Sequence, residues 1–190
     1  MTRVEIELAL HRARAWQLEV YSSLPDEVLH APATQDEHDP DVWWTPKDHL
    51  AHSSYIASVV CMIIRHNVFG LDIEALNFHE RMAIGHKETL ASMPTMADLV
   101  PRVHERTNEM WRAHHDKTFG QVVAMGEESY AEIFSLLASI TDGQLESVVI
   151  DRGVKQSIAE QLATLAGHDR QHWGWAIRGI ADLAAAKTSV

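Results

Sequence analysis

Apolar residues recur at steps of three and four along most of this chain, and that spacing constrains its fold more than any other feature. Between residues 3 and 24 they fall at Ile6, Ala9, Leu10, Ala13, Trp16, Val20 and Leu24, the period of a helix with one face turned to a core. The same spacing returns from Thr45 to about Val68, from Thr95 to Ile140, and from Ser157 to about Ala185. Alternation of period two, the mark of a half-buried strand, is confined to Ser147–Ile150. The chain therefore reads as all-α, most simply a four-helix bundle, in a single domain over residues 1–190.

The helix starts are written in the sequence. Thr45-Pro46-Lys47-Asp48 places a hydroxyl at the N-cap, proline at the first helical position and an acid at the third. Ser157-Ile158-Ala159-Glu160 is a full capping box, and Thr95 stands three residues before Asp98. Thr118-Phe119-Gly120-Gln121 is a further cap, so 95–140 is either one helix bent at Pro101 or two helices in series. The polar stretch from Pro25 to Pro40 reads as an irregular arm. Residues 70–94, punctuated by Gly70, Gly85 and Pro94, read as an irregular insertion between the second and third long helices, holding a short helix within 71–83. Such a segment is a natural place for substrate recognition.

The second helix carries two apolar lines. His52, Ile56, Val59 and Ile63 lie within about 40° of one another at 100° per residue, and Leu50, Ala57, Cys61 and Ile64 lie on the opposite side. A helix of that kind is either central in its bundle or shared with a second subunit, which would make a homodimer. Charge limits the partners. Lys and Arg number 16 against 27 Asp and Glu, a formal charge of −11, with no basic run to read phosphates, so nucleic acid is not expected. The opening residues offer no signal-peptide core, and the longest apolar run, Tyr55 to Ile64, is half of what a membrane span needs. A cytoplasmic protein without a membrane partner is the expectation.

Thirteen histidines accompany a single cysteine, so any metal site must be built from imidazole and carboxylate. Nine of them (His11, His30, His38, His66, His79, His86, His104, His114 and His115) read as surface or capping residues. His168-Asp-Arg-Gln-His172 is different, because i and i+4 share a helix face with Cβ atoms about 5–6 Å apart. His52 lies on the apolar stripe of the second helix. Imidazoles on two inward stripes can converge in a bundle core. Each alone reads equally as a hydrogen-bonded core residue, whereas one ion satisfies all three.

Trp44-Thr-Pro-Lys-Asp-His-Leu-Ala-His52, followed by the distant Gly167-His168-Asp-Arg-Gln-His172-Trp173, resembles the DinB/YfiT-like four-helix-bundle superfamily of metalloenzymes. The resemblance rests on a Trp-Ser/Thr cap opening the second helix, a histidine eight residues after that Trp, and H-x-x-x-H in the last helix. It implies an up-down-down-up bundle holding a divalent transition ion (Zn, Ni or Fe) on His52, His168 and His172. His49 lies near, but the ligand position corresponds to His52. Relatives include transferases and isomerases that use mycothiol, bacillithiol or glutathione, and hydrolases that protect against a cyclopropane-bearing genotoxin. The family gives a site rather than a substrate.

Three neutral ligands leave an ion its double charge, enough to bring the pKa of a water to about 7 or to deprotonate a thiol. The chemistry expected is thus hydrolase or thiol-dependent transferase or isomerase, on a small-molecule substrate, the latter two with a low-molecular-weight thiol as cosubstrate. The alternatives are a non-catalytic small-molecule binding or self-resistance protein of the same fold, and a structural dimer. Asp169, about 40° from the apolar stripe, is expected to orient a ligand histidine or act as general base, or else to form a salt bridge with Arg170 or a neighbouring helix. Its presence where H-E-x-x-H has glutamate argues against a metalloprotease. Trp43, Trp44, Trp173 and Trp175 flank the ligand segments as pocket walls or as packing. Gly167, Gly174 and Gly179 are expected to mark close helix approaches.

Overall fold

Side-chain caps set where the helices begin. In the computed structural model, which describes residues 1–36, 39–92, 95–151 and 154–188, Thr2 caps α1 (Arg3–Ser22). After a single turn, α2 (Asp26–Leu29), strand β1 (Thr34–Gln35) pairs antiparallel with β2 (Trp43–Trp44). The supposed irregular arm thus ends in a short ribbon, with Thr34 opposite Trp44. Thr45 and Asp48 form the expected reciprocal cap of α3 (Pro46–Phe69), which ends at Gly70 with φ +69°, a left-handed stop that glycine adopts without strain.

The insertion holds two short helices, α4 (Phe78–Ala83) and α5 (Lys87–Ala91). The Thr118 cap resolves the alternative left open at 95–140. Helix α6 (Met96–His114) runs unbroken through Pro101, and α7 (Phe119–Ser139) starts afresh after a short turn. Beyond α8 (Asp142–Leu145), β3 (Val148–Asp151) and β4 (Val154–Ser157) form an antiparallel hairpin that leads directly into α9 (Ile158–Thr188). Ser157 and Glu160 cap α9 reciprocally, at 3.1 and 2.7 Å. His38 and Pro94 lie outside the described residues, as do the side chains of Met96 and Leu183.

Four long helices, α1, α3, α7 and α9, pack on one another, most extensively α3 on α7 and on α9, and α1 on α9. Helix α6 is the fifth long helix and packs on α3 from outside this set. Leu50, Ala57, Cys61 and Ile64 are all buried, the last three beside Ile133 and Leu136 of α7 and Ile6 and Leu10 of α1. The second apolar line of α3 is therefore covered within the chain, and α3 is central in its bundle. It no longer argues for a second copy. No helix among the described residues is long and apolar enough to cross a membrane.

The glycines of α9 correct one expectation. Gly167 has open space where a Cβ would stand, and Gly174 meets only Arg178 at an ordinary 3.6 Å. Gly179 alone is closely approached, by the backbone carbonyl of Ala33 rather than by a helix. That contact seats the start of the β1–β2 ribbon against α9.

Candidate metal centre

The site begins at the cap of α3. Asp48 accepts from the backbone N–H and hydroxyl of Thr45 at 2.9 and 2.8 Å, and from His115 Nδ1 at 2.9 Å. Lys47, only 2% exposed, donates to the carbonyls of His115 and Lys117 and lies 3.6 Å from Asp48. The first turn of α3 is thus bolted to the turn between α6 and α7, which fixes the direction in which His49 and His52 project.

Opposite, α9 presents His168 and His172. Nitrogens of His52, His168 and His172 all lie within 4.8 Å of one another, a metal-competent group among the described residues. Their ring centroids are 4.5 to 5.3 Å apart. Nitrogens around a tetrahedral ion at about 2.0–2.1 Å stand about 3.3 Å apart, so small ring rotations close this set onto an ion. Burial, and then the like charges of His52, His168 and His49, hold the pKa of His172 well below the ordinary histidine range. The imidazole is therefore neutral at pH 7, the form that ligates. The donor set fits a divalent transition ion.

His49 adds an element that the helical pattern leaves out. Its Nδ1 lies 3.0 Å from Nδ1 of His172, and its Nε2 lies 3.1 Å from Thr34 Oγ1. Thr34 in turn donates to the carbonyl of Trp175 at a long 3.5 Å. A carbonyl only accepts, so the direction of the chain is set from that end. Thr34 accepts from His49 Nε2–H, His49 Nδ1 is left as acceptor, and His172 Nδ1–H donates to it. Nε2 of His172 is the nitrogen left to ligate. Burial pushes the pKa of His49 down to about 4 against a smaller opposing effect of Asp48, so the ring stays neutral and one Nδ1 can accept.

Two cavities meet at this group. An apolar one of about 230 Å³ runs between α3, α4, α6 and α9, and His52 and His168 stand in its wall. A second, of about 460 Å³, is lined mainly by polar residues, Thr34, Asp36, His49, His104 and Gln171 among them, together with Trp175, and includes all three candidate ligands. Two of the four tryptophans wall the site. Trp44 lies beside His49 and His52 at 5.3 and 5.5 Å, and Trp175 stands edge-on to His172 at 4.7 Å. Trp173 packs instead on Tyr21 and Trp16, and Trp43 is exposed.

Asp169 points elsewhere. It is fully buried, accepts from Tyr130 at 2.6 Å, and has Arg14, Ser53 and Gln17 beside it, so its carboxylate joins residues of α1, α3 and α7 to α9. Burial raises its pKa to about 6 against the lowering effects of these neighbours. It lines neither cavity. A general-base role finds no support in this position; the partners of Asp169 come from neighbouring helices, Tyr130 of α7 and Arg14 of α1, rather than from Arg170.

His79 and His104, read as surface residues, line the apolar and polar cavities respectively. Tyr55 and Arg106 also line the apolar cavity. Nothing local marks these residues, because docking of α4 and α6 onto α3 brings them there. Cys61 is buried in the core, with its thiol pushed up to about 12 by burial, and takes no part.

No protein with a curated description matches the chain. A crystal structure of an uncharacterised protein from Escherichia coli UTI89 is similar to it in fold, with a TM-score of 0.55 at 14% identity, covering 90% of this chain and 91% of that one. The sequence model of the DinB superfamily matches residues 9–176, and with its helical fold and the convergence of His52, His168 and His172, this chain belongs to that superfamily.

Proposed function

We propose that this chain is a metal-dependent enzyme acting on a small molecule, with a divalent transition ion (Zn, Ni or Fe) held by His52, His168 and His172. The observation that carries the reading is the meeting of three imidazoles, from two helices, at the junction of two cavities. An ion held by three neutral ligands retains its double charge and acidifies a water or a thiol, so the reaction is hydrolysis or thiol-dependent transfer or isomerisation. The chain's own groups supply the rest. Trp44 and Trp175 screen the ligand histidines from bulk water, His49 and Thr34 fix the orientation of His172, and the polar cavity gives water or a small thiol a route to the site. Asp169 contributes by holding α9 in its rotation about the bundle axis, not by moving a proton.

The test is turnover after reconstitution with Zn, Ni or Fe. Neutral esters and amides are offered alone, and electrophiles are offered with glutathione, mycothiol or bacillithiol. The proposal expects metal-dependent turnover of one class, lost in His52→Ala. Binding without turnover for every metal and every class would favour a non-catalytic binding or self-resistance protein.

A further inference from the structure

The apolar cavity carries an inference about what is bound. On α3, most of whose residues are buried, Ile56 and Val59 stay partly accessible, and the surface they keep faces this cavity. Met62, Val103 and Leu165 extend the same wall. The arginine on the wall is already engaged. Arg106 donates from Nε to Tyr55 Oη at 2.8 Å and from Nη1 to Glu109 at 3.1 Å. Glu80 accepts the backbone N–H of Asn77 at 2.9 Å as the reciprocal half of the α4 cap. His79 Nε2 stands 3.8 Å from Glu109. An anionic ligand would find Arg106 already paired and the carboxylate of Glu80 beside it, and would lose its hydration, whereas a hydrocarbon would lose nothing.

We propose that this cavity binds an uncharged hydrocarbon portion of the substrate, with a polar reacting group at the His52–His168 end and the remaining polar part in the larger cavity. This rests on the proposed function for the position of the reacting group, but not for the binding of the hydrocarbon. At about 230 Å³ the space lies below the range of roughly 300–1,000 Å³ that holds a whole drug-sized ligand. It accommodates a short chain or a single ring. Ile56 and Val59 are then the residues that determine specificity.

The probes are straight-chain hydroxamic acids, whose head is uncharged in solution near pH 7 and gives up a proton on chelating the metal, joined to a hydrocarbon of chosen length. Calorimetry on the zinc-loaded protein is expected to show affinity rising about fourfold per added methylene until the cavity is filled. Val59→Trp fills the cavity and should abolish the dependence on length while acetohydroxamic acid binds as before. Ala83→Phe, on the opposite wall, is the second filling variant should the first fail to fold. A chain of equal length ending in carboxylate should lose the gain. Affinity independent of length in the unaltered protein, an undiminished gain in the folded filling variants, or tighter binding of the carboxylate-ended chain would each overturn the proposal. Failure of the metal site is read separately. If acetohydroxamic acid does not bind at all, 1-hexanol should still raise the Tm of the unaltered protein and not that of the filled variants, and absence of that difference also overturns the proposal.

Discussion

Replacing His49 by leucine removes the acceptor of His172 Nδ1–H at a position that is 3% exposed. The leucine side chain offers nothing in its place, and both Nδ1–H of His172 and the hydroxyl of Thr34 lose a partner. A buried donor left unsatisfied costs about 1–3 kcal/mol, and the cost falls on the ring orientation that ligation needs. Partners of this kind typically contribute 10–100-fold to metal affinity, so zinc affinity is expected to fall within that range. Competition with a chromogenic chelator at pH 7.5 measures it. Substitution by cobalt supplies a second readout. Because His49 orients a ligand rather than serving as one, the intensity of the visible bands should be unchanged in His49→Leu. His49→Gln, whose amide can accept from His172 and donate to Thr34, should recover part of the loss. An affinity within twofold of the unaltered protein, or a cobalt spectrum showing a lost ligand, would refute the directed chain from Trp175 to His172.

Three further outcomes follow from buried groups. The pKa of Asp169 is raised to about 6 from an ordinary 3.8, so in metal-stripped protein it contributes stability that is fully present below about pH 4 and lost as pH rises through 6. The span is about 2 units, or about 3 kcal/mol. Urea midpoints from pH 4 to 7 should therefore show Asp169→Asn gaining on the unaltered protein by up to that amount, and parallel curves would contradict it. Lys47→Met leaves Asp48 and two carbonyls without their cation and is expected to cost about 3–5 kcal/mol, read from the same unfolding curves; a loss under about 1 kcal/mol would contradict the bolted turn. Gly179→Ala sets a methyl against the Ala33 carbonyl and should cost about 1–3 kcal/mol, whereas Gly174→Ala, with ordinary space around it, should gain up to about 1 kcal/mol from helix propensity.

Much of this architecture is local and so was legible. A cap is a contact over three residues, and Thr45 with Asp48, Thr118 with Gln121 and Ser157 with Glu160 all start helices where the spacing of the residues places them. The i, i+4 pair His168 and His172 is equally local, and His52 follows from the same period. What escaped the pattern depends on elements that arrive from elsewhere. His49 lies in the first turn of α3, but its role requires Thr34, which a ribbon of two-residue strands brings to it. Helical angle turns Asp169 inward, yet the interior has several sides. The angle does not separate the side facing His52 from the side facing Tyr130 and Arg14. His79, His104 and Arg106 reach the cavities only because α4 and α6 fold back over the stripe of α3. The two apolar lines of α3 admitted a central helix or a shared one, and only packing against α7 and α1 decides for the first.

The three-histidine centre is tested most directly by metal stoichiometry. Protein purified without a histidine tag and analysed by inductively coupled plasma mass spectrometry should carry, or take up, close to one equivalent of a divalent transition metal per chain. That equivalent should be lost when His52, His168 and His172 are together replaced by alanine and the fold is retained. Less than half an equivalent after reconstitution, or the same content in the triple variant, would contradict the account.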